Sequence, residues 1–326
     1  MKPNIVTGIK PSGKLHVGNY LGTVENAVAL QDSNKYDCYF FIADYHSITQ
    51  NYSPKEKRKE IFNVIIDFIA AGLDIKKSTI FIQSHVQAHT NLSWILGTVT
   101  STGRLSNMIE YKEKLQEGHT PNLGLFSYPV LMAADILIYN AVYVPVGEDQ
   151  RQHVELARDI ARTFNNTFGK TFKEPKALYT KIPRVMSLDN PFKKMSKSLP
   201  NGCLYLSDTP QVIRDKIKRA VTDSERTIEY NPEKRPGVSN LVLIYSELSD
   251  VPIKKVVSEF KNAGYAPFKE SLTKIVIEKF KPFREKRQEI IKNKEAVMKA
   301  LARNARTAEK HANVTLQKIH KKIGLI

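Results

Sequence analysis

The residues best suited to chemistry in this sequence lie in two segments that are far apart along the chain. The first, residues 11–19, reads PSGKLHVGN and follows a strand-like apolar run. His16 and Asn19 carry hydrogen-bond donors, and Gly18 has no Cβ atom to keep a flat ring away from the backbone. Near a helix N-terminus, such donors suit phosphate oxygens. We call this segment the N-terminal turn. Alone it is weak evidence, because ordinary turns have similar sequences.

The second segment, residues 194–198, reads KMSKS and lies between Pro191 and Pro200. Lys194 and Lys197 flank a serine, and two ammonium groups at this spacing could close over a triphosphate. An exposed basic turn is the alternative reading, because loops of this kind usually lie on the surface. We call this segment the lysine loop, and its pairing with the N-terminal turn favours a nucleotide site.

A different phosphate site is suggested by residues 8–14, which read GIKPSGK. This resembles the phosphate-binding loop of P-loop NTPases, which needs Ser or Thr directly after its lysine to hold magnesium. Leu15 stands there instead, and the predicted helix begins only at Gly18. We therefore reject this interpretation.

The elements that must position these residues alternate between strands and helices in the N-terminal half. Alternation of this kind is typical of a parallel sheet covered by helices, so we predict an α/β, Rossmann-like fold for residues 1–187. Near-continuous apolar runs indicate strands buried on both faces. The predicted strands are Ile5–Gly8, Asp37–Ala43, Thr79–Gln83 and Ala141–Val146, and the predicted helices are Gly18–Gln31, Arg58–Gly72 and Tyr128–Asn140.

A second domain, residues 188–326, is predicted to carry the lysine loop and then to be helical. The last quarter of the chain, residues 251–326, contains 19 Lys and Arg and 7 Asp and Glu. This positive excess accounts for most of the formal net charge of +17. Such an excess suits a polyanionic partner, but a solvated lysine-rich face explains it equally well. Helical patterns cover Gln211–Val221, Ser239–Leu248, Leu272–Phe280 and Phe283–Ile323.

Composition excludes several other classes of protein. With 41% hydrophobic and 25% charged residues the chain is expected to be globular, and its length allows a full core. Cys38 and Cys203 are the only cysteines and lie far apart, which excludes a disulfide framework and favours a reducing, cytoplasmic location. We find no apolar run long enough for a membrane span.

Together, the N-terminal turn and the lysine loop resemble the two signatures of class I aminoacyl-tRNA synthetases. Further segments extend the resemblance over nearly the whole chain, specifically to the bacterial type of tryptophanyl-tRNA synthetase. These segments are MAADIL at 132–137, VPVGEDQ at 144–150, MSL at 186–188, AVTDS at 220–224 and PGVSN at 236–240. The resemblance implies an enzyme that activates L-tryptophan with ATP and transfers it to tRNA(Trp).

An ATP site is the first implication of this resemblance. Mg²⁺ is expected to come with ATP, and no metal site of the protein's own is expected. Lys10 departs from the family, where Gln is common at the matching position. The implied ATP-binding residues are Lys10, Ser12, Gly18, Asn19, Gly147, Asp149, Val185, Met195 and Lys197. The residues implied to stabilise the reacting phosphates are Lys194, Ser196, Lys197, Lys114, His16 and Asn19.

A tryptophan pocket is the second implication. Indole has one polar group, an N–H donor, and Asp135 within an apolar helix could accept its hydrogen bond. The alternative is that Asp135 packs between helices with a local partner. Asp44 and His46 match family positions that line the site, whereas His153 is expected to face outward. The implied tryptophan-binding residues are Asp135, Met132, Tyr128, Gln150, His46, Val144 and Val146.

The expected partners are tRNA(Trp), bound by the basic helices, and a second copy of the chain in a homodimer. Three alternatives stay open at this point. A tyrosyl-tRNA synthetase shares the architecture, a small-molecule nucleotidyltransferase shares the His-x-Gly motif, and a non-catalytic descendant could bind tRNA without forming an adenylate. Amino-acid-dependent pyrophosphate exchange, with tryptophan and with tyrosine, settles most of this choice.

Overall fold

A computed structural model describes residues 2–49, 51–118, 120–179, 183–197 and 199–326. Ser198 of the lysine loop therefore lies outside the described residues. Five strands form one sheet in the order β3-β2-β1-β4-β5, and all of its pairings are parallel. The strands are β1 Asn4–Ile9, β2 Asp37–Ile42, β3 Thr79–Ile82, β4 Tyr143–Val146 and β5 Lys176–Tyr179.

Helices cover both faces of this sheet and form most of the chain after it. None of the helices in the described part of the chain combines the length and apolarity that a membrane crossing requires. The helices are α1 Val17–Asn19, α2 Glu25–Asp32, α3 Pro54–Ala70, α4 Ala88–Gly97, α5 Thr102–Ser106, α6 Ile109–Gln116, α7 Leu123–Leu137, α8 Arg151–Phe168, α9 Pro210–Arg219, α10 Pro236–Ser249, α11 Ile253–Phe260, α12 Tyr265–Lys279, α13 Lys281–Lys292 and α14 Lys294–Ile323.

The predicted Rossmann-like sheet is confirmed. Its first three predicted strands match β1 to β3 within one or two residues at each end, and the fourth matches the end of β4. The predicted helix Gly18–Gln31 corresponds to α1, a π-helical turn at Tyr20–Val24 and α2. β1 lies between β2 and β4, so the direction in which successive strands are added to the sheet reverses there, and ligands bind in parallel sheets at the carboxyl ends around this point.

Two hydrophobic cores lie on opposite faces of the sheet. One face of β1 and β2 shares a core with the helical region, and this core extends from Ile5 to Leu301. The other face packs on α7 and α8 and on the end of α14. The last helix thus returns to the sheet, where Asn304 Nδ2 donates to the carbonyl oxygens of Ile75 and Ser78 at 3.1 and 3.2 Å. The domain boundary between residues 187 and 188 stays a prediction.

A buried ion pair joins the helical region to the sheet region. Arg287 on α13 donates from Nε to Asp67 Oδ1 on α3 at 2.7 Å, and Asp67 is only 1% exposed. The other carboxylate oxygen, Oδ2, accepts a bond from the backbone N–H of Leu15 at 3.3 Å, directly before His16. Burial raises the pKa of Asp67, and the bond from Arg287 opposes this rise. Asp67 therefore connects α13 to the N-terminal turn.

Replacing Arg287 should destabilise the fold strongly. Arg287→Ala leaves the Asp67 carboxylate buried without its cation, and we expect a loss of about 3 kcal/mol in the free energy of unfolding. Chemical denaturation followed by circular dichroism measures this loss. Lys286→Ala on the same helix is the matched control, because the exposed Lys286–Glu289 pair should contribute less than about 1 kcal/mol. Equal losses in the two variants would contradict this account.

Candidate active site

One cavity of about 690 Å³ opens at the carboxyl ends of β1, β2 and β4. It contains the side chains predicted for ATP, for tryptophan and for the reacting phosphates. The sequence-predicted residues that line it are Lys10, Ser12, His16, Gly18, Asn19, His46, Lys114, Tyr128, Met132, Asp135, Val144, Val146, Gly147, Asp149, Gln150, Val185, Lys194, Met195, Ser196 and Lys197. The structure thus brings these residues together, while the role of each stays a prediction.

The N-terminal turn is joined by backbone hydrogen bonds to the chain that follows the lysine loop. Val17 N–H donates to the carbonyl oxygen of Leu204 at 2.9 Å, and Leu206 N–H donates to that of Leu15 at 3.0 Å. All four side chains are buried. The chain just after the lysine loop is therefore fixed beside the N-terminal turn, and the loop itself lies across the same cavity.

Lys197 extends this contact with its side chain. Its Nζ donates to Ser12 Oγ at 3.1 Å and to the carbonyl oxygen of Gly13 at 3.2 Å. Burial lowers the pKa of Lys197, and the nearby Asp67 carboxylate opposes this shift. Lys194 stays exposed at the same mouth of the cavity. Two cations therefore face the N-terminal turn, as a polyphosphate site requires.

His16 is held inside the turn and is only 5% exposed. Its Nδ1 accepts a bond from the backbone N–H of Asn19 at 3.3 Å, so the proton of neutral His16 lies on Nε2. Burial lowers the pKa of His16 to about 4, and the charges of Lys197 and Lys194 add to the shift. At neutral pH, His16 is therefore an uncharged donor beside two lysines.

Gly18 lies between His16 and Val185 on the same wall of the cavity. A Cβ atom at this position would come within 3.2 Å of the His16 ring and 3.5 Å of Val185 Cβ. A side chain here would therefore fill the space along the backbone. This agrees with the reason for which the sequence singled out this glycine, namely the close approach of a flat base.

Asp135 lies on α7 at the opposite end of the cavity and is 1% exposed. Its Oδ1 accepts bonds from Gln83 Nε2 at 2.7 Å and His89 Nδ1 at 2.6 Å, and its Oδ2 accepts one from His46 Nε2 at 2.8 Å. Burial alone would raise the pKa of Asp135, but the bonds from His46 and His89 hold the pKa below its usual value. A carboxylate has about four lone-pair directions, so one remains for a ligand donor.

The expected outward orientation of His153 is wrong. His153 is 2% exposed, and its Nε2 lies 2.7 Å from the hydroxyl oxygen of Tyr128. Burial raises the pKa of Tyr128, so the phenol keeps its proton. His153 also lies on the buried stripe of α8 with Ala157, Ile160 and Phe164. This helical spacing was visible in the sequence and could have placed His153 inside.

Asp44 also differs from expectation, because it is not part of the cavity wall. Its Oδ1 accepts bonds from the backbone N–H groups of Tyr45 at 3.1 Å and Ser84 at 3.0 Å. Asp44 thus fixes the chain that follows β2, including the 3₁₀ turn Tyr45–Ile48 that carries His46. Its part in the site is to hold the turn that supports a lining residue.

Comparison with known proteins gives the family. Residues 1–281 match the model of the class I tRNA synthetases (W and Y). The tryptophan–tRNA ligase of Caldanaerobacter subterraneus is 46% identical over 99% of this chain and 98% of its own, and that of Clostridium perfringens is 45% identical over 100% and 98%. The chain belongs to the tryptophanyl-tRNA synthetases. Membership of the tyrosyl-tRNA synthetases, the first alternative, is thereby excluded.

Solved structures agree with the membership of the tryptophanyl-tRNA synthetases. The enzyme of Campylobacter jejuni, complexed with ADP and tryptophan, has a TM-score of 0.87 at 34% identity, with 98% of this chain and 99% of that chain covered. A tyrosyl-tRNA synthetase from Archaeoglobus fulgidus has a TM-score of 0.67 at 20% identity. The latter likeness reflects the shared fold alone.

Some polar residues around the site were missed by sequence reasoning. Gln83 and His89 contact Asp135, and Thr7 and Glu110 line the cavity. Within the described residues, Thr7 Oγ1 and Gln83 Oε1 are buried without a hydrogen-bond partner. Gln83 directly follows β3, and residues at the carboxyl end of a parallel strand are general candidates for a site. That signal could have found Gln83.

The protonation of His16 should report anion binding. We expect proton NMR to give a His16 pKa of about 4 in the free protein and a higher pKa when a non-hydrolysable ATP analogue brings negative charge beside it. Because the folded pKa lies below the unfolded value, stability is lost as pH falls from about 6.5 to 4, by on the order of 3 kcal/mol. His16→Gln assigns the resonance and should lose less stability over that range. A free-state pKa near 6.5 would contradict this account.

Proposed function

We propose that this chain activates L-tryptophan with ATP, forming tryptophanyl-adenylate and pyrophosphate, and then transfers tryptophan to the 3′ end of tRNA(Trp). The observation that carries the proposal is that one cavity holds both a cationic end and a buried carboxylate. One end of it presents Lys194, Lys197 and neutral His16, and the other end presents the buried carboxylate of Asp135. A polyphosphate and a mostly apolar amino acid with one N–H donor fit these two ends.

Asp135 would recognise the indole N–H with its remaining lone-pair direction. Met132, Val144 and Val146 would contact the apolar ring, and all three line the cavity. An analogue without the N–H would leave a buried acceptor unpaired, and sites of this kind reject such analogues by roughly 10⁴–10⁵. His46 would support the carboxylate from the cavity side, since it bonds Oδ2.

The ammonium group of tryptophan would lie near Tyr128 and Gln150. The Tyr128 phenol keeps its proton and sits 2.7 Å from His153 Nε2, so its oxygen lone pairs can accept from an ammonium group if the hydroxyl donates to His153. Gln150 lies beside Asp149, to which its Nε2 donates at 3.1 Å. Its amide oxygen can accept from the substrate.

ATP would occupy the other half of the cavity. Adenine would lie against Gly18, bordered by Val185 and Met195, and the ribose hydroxyls would meet Gly147 and the exposed carboxylate of Asp149. The triphosphate would then reach the cations and donors at the mouth. These are Lys10, Ser12, His16, Asn19, Lys114, Lys194, Ser196 and Lys197.

In the first step, a carboxylate oxygen of tryptophan would attack the α-phosphorus of ATP. The bond from that phosphorus to the bridging oxygen breaks, and pyrophosphate leaves with the electron pair. No side chain needs to act as a nucleophile, so the protein would contribute position and charge stabilisation. Lys194 and Lys197 would stabilise the leaving pyrophosphate, and the Nε2–H of neutral His16 would donate to a phosphate oxygen.

Mg²⁺ would arrive as part of the ATP complex. Among the described residues there is no group of three or more His, Cys, Asp or Glu side chains that could hold a metal ion. The cavity mouth instead offers mainly lysines, which bind phosphate oxygens and not the cation. The ion would therefore be held by phosphate oxygens and waters, where it screens charge on the triphosphate.

We also propose a homodimer in the cytoplasm. Trp94, Ile109 and Leu123 are 80%, 59% and 78% exposed, and large apolar side chains that are this exposed suit a subunit interface.

Cys38 and Cys203 are both free and buried, which suits a reducing compartment. The basic helices of residues 251–326 would bind the tRNA backbone with strong salt dependence.

ATP–pyrophosphate exchange tests the proposed function directly. We expect exchange with tryptophan and ATP–Mg²⁺. The kcat/KM for exchange with tyrosine should be at least about a thousandfold lower, because the Asp135 pocket is complementary to an indole ring with one N–H donor. Exchange with tyrosine instead would favour the tyrosyl alternative. Absence of exchange with either amino acid, in protein that binds tRNA, would favour a non-catalytic tRNA-binding role.

Lys197→Ala should slow adenylate formation far more than it weakens tryptophan binding. Removing a cation that acts on the leaving pyrophosphate is expected to lower the single-turnover rate by about 10²–10³, with the tryptophan Kd changed less than about threefold. Lys193→Ala is the matched control, because Lys193 is exposed nearby and outside the cavity. An unchanged rate in Lys197→Ala would remove this role.

A further inference from the structure

A fully buried histidine outside the cavity bonds Asp135, the residue to which we assign recognition of the indole N–H. His89 on α4 is 0% exposed. Its Nδ1 lies 2.6 Å from Asp135 Oδ1, and its Nε2 lies 2.9 Å from the hydroxyl oxygen of Tyr139. Both ring nitrogens of His89 are therefore used, and neither can reach the cavity.

The two neighbours of His89 hold its ring by both nitrogens, and Asp135 fixes a proton on one of them. The pKa of Asp135 is held below its usual value, so this ionised carboxylate can only accept, and Nδ1 must carry a proton. Burial raises the pKa of Tyr139 well above its usual value, so its hydroxyl keeps its proton and forms a neutral hydrogen bond with Nε2. His89 therefore donates from Nδ1 to Asp135 and has a second anchor at Nε2 through Tyr139.

Tyr139 is itself fixed by aromatic neighbours. Its ring stacks on Tyr39 with centroids 4.7 Å apart, and the hydroxyl of Tyr39 lies 2.8 Å from Nδ1 of His311 on α14. Phe81 packs edge-on against Tyr139 at 6.0 Å. The position of His89 is therefore set by packed groups in the protein interior.

We propose that His89 is a specificity-determining positioning residue, which orients Asp135 so that its one remaining lone-pair direction meets the indole N–H. This inference rests on the proposed function. Gln83 also bonds Oδ1, and His46 bonds Oδ2 but is 13% exposed at the cavity. Gln83 and His89 are both completely buried, but Gln83 Oε1 has no hydrogen-bond partner among the described residues, whereas His89 has a second anchor through Tyr139. It therefore fixes the carboxylate plane.

The test compares tryptophan with β-(3-benzothienyl)alanine, in which sulfur replaces the indole N–H. We measure kcat/KM for both in ATP–pyrophosphate exchange, in the full-length protein and in His89→Leu and His89→Asn. The expected result for His89→Leu is a fall of roughly tenfold or more in the preference for tryptophan, with the benzothienyl substrate and the KM for ATP changed little. His89→Asn should retain most of the preference, because its amide can donate from near the Nδ1 position.

An equal loss for both amino acids in His89→Leu would show a packing role only, and an unchanged preference would overturn the inference. If His89→Leu does not fold, Tyr139→Phe replaces it. That variant removes the hydroxyl that anchors Nε2 of His89, and its preference for tryptophan should also fall; an unchanged preference would overturn the inference. Failure of the unmodified protein to exchange with tryptophan would instead overturn the proposed function, so the two failures are distinguishable.

Discussion

The site depends on the pairing of Leu15–Val17 with Leu204–Leu206. Two backbone hydrogen bonds and four buried side chains join segments that are far apart in sequence. This pairing fixes the chain that follows the lysine loop beside the N-terminal turn. Because the bonded groups are buried, breaking the pairing would leave backbone N–H and carbonyl groups without partners, and that cost keeps the segments together before any nucleotide arrives. The further bond from Lys197 to Ser12 depends on this arrangement.

The sheet explains why the paired segments border a pocket and not a flat surface. β1 is bonded to β2 on one side and to β4 on the other, and the connections leave in opposite directions from this point. The carboxyl ends of β1 and β4 therefore open a cleft, which α7 closes at its far end with Asp135. On this account the N-terminal turn lies over the cleft because it directly follows β1. Its position is a consequence of topology.

The sequence predicted the features that have a local signature. Buried parallel strands are continuous apolar runs, and the two signature motifs are short and ordered, so both could be read without coordinates. β5 was missed because Lys176–Tyr179 is short, partly exposed and at the sheet edge. His89 was missed for a different reason, since its role follows from which helix faces meet. Asp44 was placed in the site, but its carboxylate is taken up by backbone N–H groups, a competition that sequence does not reveal.

The two ends of the cavity are built on opposite electrostatic principles. At the amino-acid end, a carboxylate is buried, which is stable only because three donors already bond it, and the one direction left over becomes selective. At the nucleotide end, several cations face one another, and burying them without an anion would be costly. Lys194 accordingly stays exposed, and the pKa of His16 is depressed so that it carries no charge. On the proposed function, selectivity would be preset by the protein's own hydrogen bonds, whereas the cationic end would be completed only by the charge of its ligand.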